Sequence, residues 1–304
     1  MSSNLGKLFE RIVNNRAKTV INKTVARAGG QEKKAKTHHL LILKESINGQ
    51  REKKKPIYIT YLDVTKAYDK AWLTGIMYVL HNNGVQGPLW NTIRNLNMNL
   101  KAKIKTKDGL TEAINIKDSI RQGGVLSVIL YALLMDEIAK EINHENKGCL
   151  IPGLTKKVGC LLWMDDVVLL SECPNEMQDI LNITHKIAKK YHIQFGKEKS
   201  KIMTSAKKQD KEFRLGEMIL ETTENYKYLG ETINTKLKLH DHIKNTRSKT
   251  EGALQTILGM AKDPNLYGIE METIWKLFET CITPILTYGS ETWNPTKTEM
   301  KELN

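Results

Sequence analysis

Residues 161–170 read LLWMDDVVLL. Two adjacent aspartates separate two apolar runs, VGCLLW (158–163) and VVLLSE (167–172). Short apolar runs on either side of a turn read as the strands of a buried hairpin, with the two charges on the connecting turn. Carboxylates placed together at such a rim repel, and one of them protonates unless something offsets the charge. An isolated Asp-Asp pair is ordinarily turn chemistry, because Asp is a common turn residue. Asp63 changes the weighing, because it closes a second β-rich run, IYITYLD (57–63). Two such strands side by side would gather Asp63, Asp165 and Asp166 around one point, and hard divalent cations are what oxygen ligands of that kind bind. Two Mg²⁺ ions about 3.5–4 Å apart serve phosphoryl transfer by activating a hydroxyl and stabilising the leaving group.

The same reading extends along the chain. Periodicity predicts helices over 5–21 and 38–48, separated by the basic loop RAGGQEKKAK (27–36) and followed by a charged linker, NGQREKKKP (48–56). Helices are expected from Trp72 to His81, Leu89 to Leu96, Leu126 to Ile142, Asn175 to Tyr191, Asp241 to Met260 and Met271 to Leu286. KAKIKT (101–106) and EAINIK (112–117) flank a Lys-Asp-Gly segment and read as a hairpin, and short strands are expected over 213–233. Strand and helix runs in this mixed order suggest an α+β fold, a palm-like sheet with helical flanks.

Composition narrows the partners. Lys and Arg number 47 against 34 Asp and Glu, a net charge of +13 over 304 residues, which favours a polyanion or an anionic membrane surface. The longest apolar stretch, Gly124 to Met135, is shorter than the about 20 residues a bilayer span needs. The N-terminus MSSNLGKLFERIVNNR lacks the uninterrupted apolar core of a signal peptide. A soluble protein acting on nucleic acid is therefore expected, with no membrane partner. Cys149, Cys160, Cys173 and Cys281 have neither zinc-ligand nor disulfide-framework spacing and read as reduced core thiols of an intracellular protein, in the nucleus or the cytoplasm.

Five segments in order then carry a resemblance. DVTKAYD (63–69), RQGGVLS (121–127), WMDD (163–166), GKEKSKIM (196–203) and YLG (228–230) resemble motifs A to E of the reverse transcriptases of non-LTR retrotransposons. LTYGSETW (286–293) resembles a segment that follows the thumb in the same lineage, and the likeness covers nearly the whole chain.

The resemblance implies a right-hand polymerase with partial fingers over 1–56, a palm with a fingers insertion over 57–238 and a thumb-like helical region over 239–304. It implies RNA-directed DNA polymerase activity, with two Mg²⁺ ions (Mn²⁺ as a substitute), an RNA template, a DNA primer and deoxynucleoside triphosphates. Asp63 and Asp165 would be the metal ligands, with Asp166 beside them in a lesser part. Consecutive residues of an extended chain point to opposite faces, which agrees with that ranking. Tyr68 matches the aromatic under the incoming sugar that would clash with a ribose 2′-hydroxyl; the plain alternative is a packed core aromatic. Asp69 reads as a structural or capping carboxylate and Lys66 as a surface or phosphate-contacting cation.

Gln122, Gly123 and Gly124 precede a helix, where backbone N–H groups meet phosphates and glycines permit close approach. Lys199 would protonate the departing pyrophosphate, with Lys201 an equal claimant, and Tyr228, Leu229 and Gly230 would form the primer grip. The likeness has gaps. The Arg-Pro-Ile/Val-Ser/Thr strand of the fingers is absent, and the fingers loop reads GGQEKKAKTHH (29–39), with Lys34 at the basic position but Ala35 and His38 where Ser and Asp are usual. His38 and His39 are otherwise read as exposed helix-start residues. No endonuclease or zinc knuckle is visible, so a fragment or decayed copy of an element is expected. A maturase is the nearest enzyme alternative. A catalytically inactive reverse-transcriptase-like protein that binds RNA or RNA–DNA hybrid is the alternative from another class.

Overall fold

A computed structural model describes residues 4–21, 35–98, 100–107, 109–116, 118–206, 211–261 and 270–303. The chain forms two compact units, Met1–Thr223 and Glu224–Asn304.

Five strands make the sheet of the first unit: β1 (Tyr58–Asp63), β2 (Cys160–Trp163), β3 (Asp166–Ser171), β4 (Lys201–Thr204) and β5 (Glu221–Thr222). Their spatial order is β5-β4-β1-β3-β2. β1 is antiparallel to both neighbours, and β4 and β5 run parallel. Tyr58, Leu62, Val167, Leu169 and Ile202 join one core with residues of the helices α1 (Asn4–Val20), α3 (Leu73–Asn82), α5 (Ser127–His144) and α6 (Pro174–Lys190). Ile59, Tyr61, Val168, Leu170 and Met203 lie outside that core and are buried as well. Burial on both faces explains why the strands read as continuous apolar runs rather than alternating ones.

α2 (Lys36–Glu52) packs against β2 and corrects the expected linker over 48–56. Gly49 and Gln50 are buried within it. A Cβ on Gly49 would come within 2.9 Å of the Pro152 ring, and Gln50 Nε2 donates to Glu172 Oε1 at 2.9 Å. Tertiary packing thus overrides a composition that is poor for a helix, including a glycine that costs about 1 kcal/mol relative to Ala. His39, expected at the surface, is buried and sets its ring edge against Trp163 at 5.7 Å, whereas His38 is exposed and accepts the Ala35 N–H through Nδ1 at 2.9 Å. Cys149 and Cys160 are core thiols as expected; Cys173 and Cys281 are exposed.

α4 (Gly87–Asn97) is followed by a two-stranded ribbon that pairs Lys101–Ala102 with Ile114–Asn115 and Lys105–Thr106 with Gly109–Leu110, as the hairpin reading anticipates. No helix among the described residues is long and apolar enough to cross a membrane.

The second unit opens with a hairpin, β6 (Asn225–Tyr228) and β7 (Glu231–Asn234). The helix α7 (His240–Ala261) follows, then α8 (Met271–Leu277), which runs through one wide turn (Phe278–Ile282) into α9 (Thr283–Leu286).

Candidate active site

Two strand ends build the site. β1 ends on Asp63, which lies directly across from Asp166, the first residue of β3. β2 and β3 join through Met164 and Asp165 alone, since Trp163 and Asp166 are register partners. Two-residue hairpins favour positive φ at the first central position, where glycine is usual. Here Met164 takes that conformation, φ 58°. A non-glycine residue held there marks local strain, which persists only when the surrounding structure fixes it. The buried strands on either side do so, and they leave Asp165 exposed at the turn.

Asp63 and Asp165 both line a cleft of about 690 Å³, together with residues 64–69, Gln122 and residues 196–199. Asp166 is not part of that wall. Burial first, then the charges of Asp165 and Asp63, push the Asp166 carboxyl up to about 6, against the opposing pull of Lys36 and Lys199. Asp165 and Asp63 thus set like charge beside a carboxyl that burial already disfavours in its charged form. Among the described residues no group of three or more His, Cys, Asp and Glu side chains stands ready to hold a metal ion.

The segment 194–200 is laced to the end of β1. Thr65 N–H donates to Gln194 O at 2.8 Å, Gly196 N–H donates to Asp63 O at 2.9 Å, and Asp63 N–H donates to Ser200 Oγ at 3.4 Å. A Cβ at Gly196 would stand 3.2 Å from Thr65 Oγ1 and 3.7 Å from Asp63 Oδ2, so the glycine lets this segment approach the carboxylate. Lys199 Nζ lies 3.6 Å from Asp63 Oδ1. Lys201, the other claimant, pairs with Glu221 and does not line the cleft. Sequence reasoning missed Ser200, whose only signal was a place within a run of lysines.

Tyr68 lines the cleft, half-buried, and stacks on the buried Tyr131 of α5 with ring centroids 5.3 Å apart and planes inclined by 25°. Burial, and then Asp165, raise its hydroxyl above the usual tyrosine value. Tyr68 O also accepts the Ile120 N–H at 2.9 Å, which ties the end of the DVTKAYD segment to the start of the RQGG segment. Gln122 faces the cleft and donates Nε2 to Asp69 Oδ1 at 3.3 Å, and Gly123 takes φ 80°, a conformation open to glycine at no steric cost. Lys66 also lines the cleft, with φ 49°. Lys34 lies outside the described residues.

Tyr228, Leu229 and Gly230 form the β6–β7 turn in the second unit. Leu229 and Gly230 both have positive φ, 47° and 94°, the pattern of a tight two-residue hairpin. Tyr288 of the YGSETW segment clamps it, donating its hydroxyl to Leu229 O at 2.6 Å. A Cβ on Gly230 would come 2.9 Å from the Tyr288 ring. Two motifs 59 residues apart thus meet in one unit.

Comparisons with known proteins agree on an ancestry. The family described as "Reverse transcriptase (RNA-dependent DNA polymerase)" matches residues 1–233. The Pol polyprotein of the type-1 retrotransposable element R2 of Nasonia vitripennis is 30% identical over 141 residues, which is 46% of this chain and 14% of that protein. The RNA-directed DNA polymerase of the mobile element jockey of Drosophila funebris is 22% identical over 305 residues, 95% of this chain and 32% of that protein. The chain thus spans under a third of the length of these two relatives. Among solved structures, the telomerase of Candida albicans in complex with a fragment of telomeric RNA superposes with a TM-score of 0.59 at 11% identity, over 98% of this chain and 52% of that one. The apo telomerase of Candida tropicalis gives 0.53 at 11%, over 98% and 53%. At such identities the likeness speaks for the fold alone, and the fold class is the α+β right-hand polymerase.

Proposed function

The chain belongs to the reverse transcriptase (RNA-dependent DNA polymerase) family, and from that premise we propose that it is the RNA-directed DNA polymerase core of a non-LTR retrotransposon, extending a DNA primer along an RNA template. We assign residues 1–56 to partial fingers, 57–238 to the palm and 239–304 to a thumb-like region. The observation that carries the proposal is the meeting of Asp63, Asp165 and Lys199 at one cleft wall. The donor set fits hard divalent cations. Mg²⁺ is commonly held by one or two carboxylates plus substrate phosphates rather than by an all-protein cage. Burial does most to raise the Asp166 carboxyl, and the like charges of Asp165 and Asp63 add to it, a part that a cation at the rim would offset. Held by Asp63 and Asp165 with Asp166 beside them, two Mg²⁺ ions, or Mn²⁺ in their place, would activate the primer 3′-hydroxyl and offset the charge on the leaving pyrophosphate.

The side chains divide the remaining work. Lys199 can move from Asp63 to the leaving phosphates and deliver a proton there. Gln122 and the adjoining backbone face the incoming deoxynucleoside triphosphate, and Tyr68 presents its ring to the sugar. The turn at Tyr228, Leu229 and Gly230 is assigned to the primer end. A basic chain of this kind acts inside the cell, in the nucleus or cytoplasm, where template RNA and nucleotides are found.

Primer extension on an RNA template with deoxynucleotides and Mg²⁺ tests the reading. Asp165→Ala is expected to abolish extension while leaving RNA–DNA hybrid binding and the melting temperature close to wild type, because Asp165 sits exposed on a turn. Extension unchanged by the substitution would sink the site assignment.

A further inference from the structure

Glu10 is an acidic residue of α1 and only 2% exposed. Charged side chains are almost never that deeply buried unless paired. Both of its carboxylate oxygens are engaged on one loop. Oε1 lies 3.0 Å from Arg121 Nη2, and Oε2 accepts the Val125 N–H at 2.8 Å. Arg121 Nη2 also donates to Leu96 O at 3.0 Å, at the end of α4. Arg121 O in turn accepts the Ser127 hydroxyl at 2.6 Å, which turns the chain into α5. One carboxylate from a distant helix therefore pins the loop at both ends, and between the pins lie Gln122, which faces the cleft, and Gly123 with its positive φ. Gly124 belongs to the same arrangement, since a Cβ there would stand 2.6 Å from Ser127 Oγ and 3.5 Å from Glu10 Oε2.

We propose that Glu10 is a positioning residue for nucleotide binding, acting through Arg121 and Val125 to fix where Gln122 meets the cleft. The inference rests on the reading of this cleft as the nucleotide site. Glu10 does not line the cleft, and its carboxylate reaches the site through the loop it holds. Its carboxylate is the only kind of side chain that can receive the guanidinium and a backbone N–H at once, each through a separate oxygen. Glu10→Gln keeps one acceptor for Val125 and loses the charge that pairs with Arg121. Glu10→Ala loses both.

Single-nucleotide extension on a primed RNA template tests the assignment in the full chain. Glu10→Ala should raise the nucleotide KM by about ten- to hundredfold, the scale of a buried donor left without its acceptor. Glu10→Gln should fall between it and wild type, while kcat and the affinity for the primed duplex stay close to wild type in both. Glu10→Ala lowers the melting temperature on either account, because it leaves buried partners unpaired; a merely structural ion pair would also reduce kcat and duplex affinity, and that pattern overturns the proposal. An unchanged KM in a folded variant overturns it too. Should Glu10→Ala fail to fold, Glu10→Gln carries the same comparison. Amide exchange over residues 121–126 supplies a readout that needs no catalysis: it should quicken in Glu10→Ala, with Val125 still protected in Glu10→Gln. A wild-type protein that extends no primer would defeat the polymerase reading, and the exchange result alone would then decide whether Glu10 holds the loop.

Discussion

Tyr68 shows how much one side chain is asked to do. Its motif was plain in the order of residues, but its partner was not, because Tyr131 looks from the sequence like one more apolar position on a long helix. The structure stacks the two rings, so Tyr131 fixes the plane that Tyr68 presents to the cleft. If that ring floors the sugar pocket, Tyr68→Ala removes the clash with a 2′-hydroxyl. Ribonucleotide incorporation should rise while deoxynucleotide use falls less, read as the ratio of kcat/KM values for the two sugars, since selectivity is a difference in transition-state binding. The half-exposed ring makes the stability cost smaller than the about 3–5 kcal/mol of a fully buried aromatic truncation. Equal losses for both sugars, with a melting temperature lowered on that larger scale, would return Tyr68 to the role of a packing residue.

Elements were legible where their own chain carries the signal. IYITYLD, the LLWMDDVVLL hairpin and the helix after RQGG stand where apolar patterning placed them, because most of their apolar residues are buried. α2 and β4 were not. Asn48 to Glu52 reads as a linker until Pro152 and Glu172 supply the contacts that hold it helical. Lys201–Thr204 follows a lysine run that resembles a solvated face, and pairing with β1 and β5 makes it a strand. Glu10 had no legible signal at all, since its loop lies 115 residues away. Behind the hairpin, Glu176 in the first turn of α6 joins three elements. Burial works to raise its carboxyl, but hydrogen bonds from Lys157 Nζ at 2.9 Å and Ser171 Oγ at 2.8 Å prevail and hold it below the usual glutamate range. A depressed folded value means that the stabilisation is present above the ordinary glutamate value of about 4.3 and is lost as pH falls through the folded value. Urea denaturation at stepped pH should therefore show Glu176→Gln less stable than wild type at neutral pH, by about 1–3 kcal/mol, with the gap closing in acid. A gap that persists unchanged at low pH would show that packing, and not the charge, is what Glu176 contributes.

For the molecule as a whole, a net charge of +13 is a statement about partners rather than about fold. The sheet and its helices would tolerate a neutral surface, whereas a polymerase must hold a primed template through phosphates that differ little from one sequence to another. Phosphate contacts fix register without reading bases, and each neutralised phosphate releases counterions, so affinity for an RNA–DNA duplex should fall with salt at a slope near −0.9 per contact on a log–log plot. The ribbon over 101–116 is where this can be resolved by position. Lys101, Lys103, Lys105 and Lys107 occur at every second residue and are exposed. Replacing Lys103 and Lys105 with Gln should leave folding unchanged, weaken binding about equally across template sequences and lower the slope by about one for each lysine that meets a phosphate. If the affinity of the wild-type chain proved independent of salt, the positive surface would have no part in holding the duplex. If the slope were steep but unmoved by the two substitutions, the contacts would belong to other basic faces, and the ribbon would be a solvated surface.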